Sequence, residues 1–166
     1  MTPSISRILV PIDFSSHSDQ ALRYAVSLAR RLGASLELLH VVEDPFAAGA
    51  WGSEVYVPNV TELLDNMIAD ARRRLSDLKD VVAHEGVPIS IVVLKGRPAP
   101  VILEHAAGGR FDLIVMATHG RTGLAHLFMG SVAEAVVRRA PCPVLTLRPQ
   151  PPAARQAAST TAQAVA

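Results

Sequence analysis

The chain has 166 residues, one domain's worth of polypeptide and long enough for a sizeable core. Apolar residues make up 49% and charged residues 19%, which excludes a disordered chain; with only 4% aromatic, aliphatic side chains and alanine must fill the interior. The net charge of +1 excludes long-range attraction to nucleic acid or to an anionic membrane.

At the start, Met1 to Arg7 lacks a basic region followed by a signal-length apolar core, and no later run approaches the roughly 18 apolar residues of a membrane span. The expectation is a soluble, cytoplasmic protein. Ile5 to Ile12 is a β-rich apolar run without helical period, read as a strand buried on both faces and ended by Asp13. Ser15 to Asp19 offers N-cap candidates for a helix whose apolar positions, Ala21, Leu22, Ala25, Val26, Leu28, Ala29 and Leu32, recur until Gly33. Ser35 to Val42 is a second buried strand, and a right-handed crossover lays it parallel to the first.

Residues 43–58 form a long loop carrying Trp51 and Tyr56, equally compatible with a cover over a ligand and with disorder. Asn59 and Glu62 suggest a capping box for a long helix with an apolar stripe through Val60, Leu64, Met67, Ala71, Leu75, Leu78 and Val82, closed by Gly86. Arg72, Arg73 and Arg74 read as its solvated face. Ile89 to Leu94 is a third strand; Gly96-Arg97-Pro98 turns into a short helix ending at Gly108-Gly109. Phe111 to Met116 is the fourth strand.

Residues 117–131 follow that strand and precede a helix. Gly120, Gly123 and Gly130 can turn backbone N–H groups toward one point, and Ser131 stands as the expected N-cap, with Glu134 completing a capping box. Glycines and a helix start together make a phosphate cradle, although an ordinary turn and cap explain the spacing equally well, and neither GxxxxGK[ST] nor GxGxxG is present. Pro143 to Leu147 is a fifth strand. The lone Cys142, flanked by prolines, reads as a small buried or half-buried apolar residue rather than a nucleophile, and residues 149–166 read as a disordered tail beyond a domain of residues 1–148.

Alternating strands and helices predict an α/β fold, an open, mostly parallel sheet with helices on both faces. Ligands bind such sheets at strand carboxyl ends where strand order reverses, and Asp13, Val41, Gly96 and residues 117–120 all fall at such ends.

Three pieces of the sequence name a family. Val10-Pro11-Ile12-Asp13-Phe14-Ser15, Leu39-His40-Val41, and Ala117-Thr118-His119-Gly120 followed by nine residues and then Gly130-Ser131 together resemble the universal stress protein family over roughly residues 4 to 148. The resemblance implies a five-stranded, Rossmann-like sheet of the adenine nucleotide alpha hydrolase type, with strand order 3-2-1-4-5, and a homodimer formed through the last strand, residues 142–148. It also implies ATP, with Mg²⁺ held through its phosphates. Gly120, Gly130 and Ser131 match the phosphate-cradling positions of the ATP-binding branch, Asp13 the acidic residue near ribose and metal, and Val41 the backbone that reads the adenine edge. Pro11, Gly96, His119, Arg121 and Val132 are the further positions expected around the nucleotide. One position departs: Ala117 stands where that branch has its first glycine, so its methyl is expected against the ribose, with strain if the local φ is positive.

The competing readings are a plain helix cap for Asp13 and a hydrogen bond within its own loop for His119, while Arg97 and Arg121, which could neutralise phosphate charge, read first as solvated surface residues. His40, His84 and His105 read as partly buried or surface residues. No Ser–His–acid order, no paired carboxylates and no lysine in the glycine stretch support efficient catalysis. The expectation is a nucleotide-binding stress or signalling dimer with an unidentified protein partner. The alternatives are a non-nucleotide dimerisation or chaperone-like module and a slow ATP hydrolase.

Overall fold

A computed structural model describes residues 4–43, 60–119 and 129–148. The elements run β1 (Arg7–Pro11), α1 (Ser16–Leu32), β2 (Ser35–Val42), α2 (Val60–Val82), β3 (Ile89–Lys95), α3 (Pro98–Gly108), β4 (Leu113–Ala117), α4 (Ser131–Arg139) and β5 (Val144–Leu147). All strand pairings are parallel and the sheet order is β3-β2-β1-β4-β5, as expected.

Side-chain alternation along the strands sorts the core into two layers. Ile8, Val10, Leu36, Leu38, Leu113 and Val115 pack under α1 and α2 with Leu22, Val26, Leu75 and Val82. Leu9, Leu39, Ile114 and Met116 face the other way, against Ile102 and Ala106 of α3 and Ala133 and Val136 of α4. Ile8, Leu9 and Val10 are fully buried, which is why β1 reads as an unbroken apolar run.

Capping residues set several boundaries. Ser15 is the N-cap of α1, its side chain accepting from the Ser18 N–H, and Gly33 ends the helix at φ 66° with its N–H on the Ala29 carbonyl. The α-helix α2 ends at Val82, the last residue of its apolar stripe, and a 3₁₀ turn over Ala83–Glu85 carries the chain on to Gly86, which closes that turn rather than the helix itself. Strand β4 starts at Leu113 because Phe111 still donates to the Ala106 carbonyl at the end of α3. The expected cap Ser131 is instead the first residue of α4; the N-cap is Gly130, without a side-chain cap bond. Glu134 donates its N–H to the Gly130 carbonyl, and its carboxylate pairs with Arg138 (2.6 Å) rather than folding back as a capping box.

No helix among the described residues is long and apolar enough to cross a membrane. The expected tail and most of the 43–58 loop lie outside the described residues, as do Asn59, Gly120, Arg121 and Gly123.

Candidate functional site

The connection out of β1 leads through α1 to β2, on one side of β1, whereas β4 arrives on the other side through α3. Connections leaving in opposite directions open a crevice at the carboxyl ends of β1 and β4. A cavity of about 780 Å³ occupies that place. It is within the size range of small-molecule sites.

Strand ends supply its floor. Pro11, Ile12 and Asp13 come from β1 and the turn after it, Leu39 to Glu43 from β2, and Met116 to His119 from β4. Gly130 to Ala133, at the start of α4, form one flank, and Asn66, Met67, Asp70, Ala71 and Arg74 of α2 form the other. Of the predicted residues, Pro11, Asp13, Val41, Ala117, His119, Gly130, Ser131 and Val132 are thus brought together. Gly96 is not among the described lining residues. Its glycine answers a local need, since φ is 143° and a Cβ would stand 2.8 Å from Val101 Cγ2.

Asp13 is not the cap of α1. Its Oδ1 accepts from the Ser15 N–H (3.0 Å) and hydroxyl (2.6 Å), closing an Asx turn just before the helix. The residue between them, Phe14, has φ 63°, a left-handed conformation that costs a bulky side chain on the order of 1–3 kcal/mol. Neighbours hold it there. The Phe14 ring lies 4.4 Å from the His40 ring, and the Arg74 guanidinium sits 3.9 Å over the Phe14 centroid. His40 itself is 8% exposed, not a surface residue, and its Nδ1 donates to the Ile12 carbonyl (2.7 Å). The strained turn, the imidazole and the end of β1 therefore form one braced unit beside Asp13.

On the opposite flank, Gly130 has an ordinary φ of −70°. It is needed there for closeness rather than for positive φ: its N–H donates to the Thr118 carbonyl (2.7 Å), and a Cβ would come within 3.3 Å of that same oxygen. This contact draws the start of α4 against the end of β4 and aims the helix N-terminus along the crevice. Thr118 completes the brace. Its hydroxyl donates to the Leu147 carbonyl (3.2 Å), so the 2.9 Å contact with His119 Nδ1 has the imidazole as donor. Ala117 lies within β4, paired with Leu147, and is not among the residues of positive φ, so the departure from glycine brings no backbone strain.

Residues 4–148 match the profile of the universal stress protein family. The chain belongs to that family. It is 34% identical over 148 residues to a universal stress protein of Methanocaldococcus jannaschii, covering 86% of this chain and 81% of that one. Universal stress protein UspA from Lactobacillus plantarum shares the architecture with a TM-score of 0.75 at 29% identity, over 89% of this chain and 100% of the other. The universal stress protein from Archaeoglobus fulgidus in complex with dAMP shares the fold, with a TM-score of 0.62 at 22% identity over 87% of this chain and 98% of that one.

In this universal stress protein domain, the wall from α2 is what sequence reasoning missed. Arg72, Arg73 and Arg74 are exposed, as a solvated face requires, and Arg74 in addition turns onto Phe14 and lines the crevice. A signal was present in the spacing: Asn66, Asp70 and Arg74 recur every four residues beside the apolar stripe, so they share one helix face at its border. Cys142 is half-buried and packs with the α3–α4 layer, and burial pushes its thiol pKa up, away from nucleophilic use.

Proposed function

We propose that the crevice binds an adenine nucleotide, ATP accompanied by Mg²⁺, and that the protein acts in the cytoplasm as a nucleotide-responsive dimer in stress signalling. The observation that carries this reading is the convergence of Asp13, Val41 and the Gly130–Ser131 helix start on one cavity. Each supplies a different contact. The first-turn N–H groups of α4 and its dipole suit phosphates, the backbone of Val41 suits the polar edge of a base, and Asp13 suits ribose hydroxyls or a phosphate-bound cation.

The residues present fit the group. Gly130 is drawn so close to Thr118 that the start of α4 reaches the crevice, and Ser131 adds a small side chain there. Asp13 lines the wall just after β1, so a polyphosphate reaching it gains from a divalent cation. The dAMP complex of the Archaeoglobus fulgidus protein is in keeping with an adenine nucleotide as the ligand class. Ala117 is the one feature that favours a non-nucleotide module of the same fold, and its ordinary strand conformation weakens that alternative.

Ser131→Glu tests the phosphate assignment without endangering the fold, since a carboxylate in the first turn of a helix is stabilising. ATP affinity, measured by calorimetry, should fall by about tenfold or more, roughly 1.4 kcal/mol, while the Tm of the ligand-free protein does not fall. Equal ATP affinity in wild type and Ser131→Glu would overturn the phosphate assignment.

A further inference from the structure

The α2 flank of the crevice has no part in the nucleotide contacts described above, yet it carries the crevice's strongest hydrogen-bond donor. Arg74 is the only Lys or Arg among the described lining residues. Its guanidinium is seated 3.9 Å over Phe14, the residue whose left-handed backbone forms the turn beside Asp13. Cation–π seating of this kind fixes the plane of a guanidinium without consuming its N–H donors. One turn earlier, Asp70 pairs with Arg73, and Met67, which is 37% exposed, lies along the same wall. The sequence thus brings an oriented donor and a flexible apolar side chain to one flank.

Position along the crevice decides what that flank meets. Helix α2 packs on β2 and β3, at one side of the sheet, whereas α4 begins beside β4, on the other side of β1. The two flanks therefore stand at opposite ends of the ligand. With phosphates at Ser131 and the Val41 backbone at the end of β2, the part of the ligand nearest α2 is the base. Adenine presents its ring-nitrogen acceptors singly, N1 and N7 each beside the N6 amino donor and N3 on the far edge, so one N–H of an arginine can donate to one of them.

We infer that Arg74, held on Phe14, is a base-recognition residue of this crevice, donating through one N–H to an acceptor nitrogen of adenine, with Met67 covering the ring beside it. The inference rests on the adenine-nucleotide reading. It assigns to α2 a specificity wall separate from the phosphate cradle.

Three probes of the full-length protein separate the possibilities: ATP, adenosine and inorganic tripolyphosphate, each titrated calorimetrically against wild type, Arg74→Leu and Ser131→Glu. Arg74→Leu, which has no donor, should weaken ATP and adenosine by the same factor, about tenfold, and leave tripolyphosphate unchanged. Ser131→Glu should show the complementary pattern, weakening ATP and tripolyphosphate while sparing adenosine. Arg74→Lys, which keeps a donor but loses the planar guanidinium oriented on Phe14, should fall between wild type and Arg74→Leu for adenosine.

Unchanged adenosine and ATP binding in Arg74→Leu would overturn the inference and leave the nucleotide site standing. Loss of tripolyphosphate binding in that variant would also overturn it, by placing Arg74 on the phosphates or by showing collapse of the whole crevice. Failure of the wild type to bind either ATP or adenosine would overturn the nucleotide reading and this inference with it.

Discussion

Asp112 shows how one half-buried side chain can join distant parts of this chain. Its Oδ2 accepts from the Ser6 N–H (2.9 Å), the Ser6 hydroxyl (2.8 Å) and the Arg7 N–H (2.9 Å), tying the start of β1 to the start of β4. Those bonds favour the ionised form, and the Ser6 backbone bond first among them holds the carboxyl pKa below its ordinary value of 3.8. A depressed folded-state pKa means that the stabilisation is complete above the ordinary carboxylate range and is lost as pH falls through the lowered value. Asp112→Asn should therefore lower Tm slightly at neutral pH, and the gap from wild type should close as thermal melts are taken to more acid pH. A gap that persists unchanged to the acid limit would contradict the ionised-acceptor account. Nothing in the sequence marks Asp112 for this role, because its partners lie more than a hundred residues away.

At the scale of an element, α1 was legible from end to end, since its signals are local. Ser15 caps it, apolar residues repeat at helical spacing, and Gly33 ends it. A Cβ on Gly33 would meet nothing within 4 Å, so the cost of Gly33→Ala is purely that of forcing alanine to φ 66°, about 1 kcal/mol. Tm should fall by roughly 2–4 °C on calorimetric scanning, and Gly33→Asn, which tolerates the left-handed region better, should fall less. The start of α4 was less legible. Ser131 and Glu134 have the spacing of a capping box, but the short approach of Gly130 to Thr118 moves the cap back by one residue. Local spacing carries no information about that contact between the helix start and a strand end. Arg74 was hidden for a similar reason: its neighbours in sequence are arginines on a polar face, and only the turn at Phe14, sixty residues earlier, draws it to the crevice.

For the whole molecule, the open issue of function is assembly, and β5 is the edge through which the proposed dimer would form. The carbonyls of Pro143 and Leu147 accept from the Ile114 and Thr118 N–H groups of β4, so by strand alternation the N–H of Thr146 points away from the sheet. All four residues of β5 are only half-buried. Thr146→Pro removes that outward donor while sparing the pairing with β4. Sedimentation velocity should show a dimer for wild type and a monomer for Thr146→Pro; a dimer in both would exclude the β5 edge as the interface.

The amino-acid sequence by itself determined the order and type of the elements, the two-faced burial of β1, and the end of the sheet where a ligand would lie. Those follow from period, caps and the alternation of strand with helix, all of which act over a few residues. Its family motifs also located the two ends of the crevice, at Asp13 with Val41 and at Gly130 with Ser131. Tertiary structure alone decided how the crevice is braced and what forms its far wall. The Phe14–His40–Arg74 stack, the Gly130–Thr118 approach and the absence of Gly96 from the described lining residues depend on contacts between segments far apart in the chain. Such contacts exist only once packing has brought the strand ends together, and no local pattern encodes them.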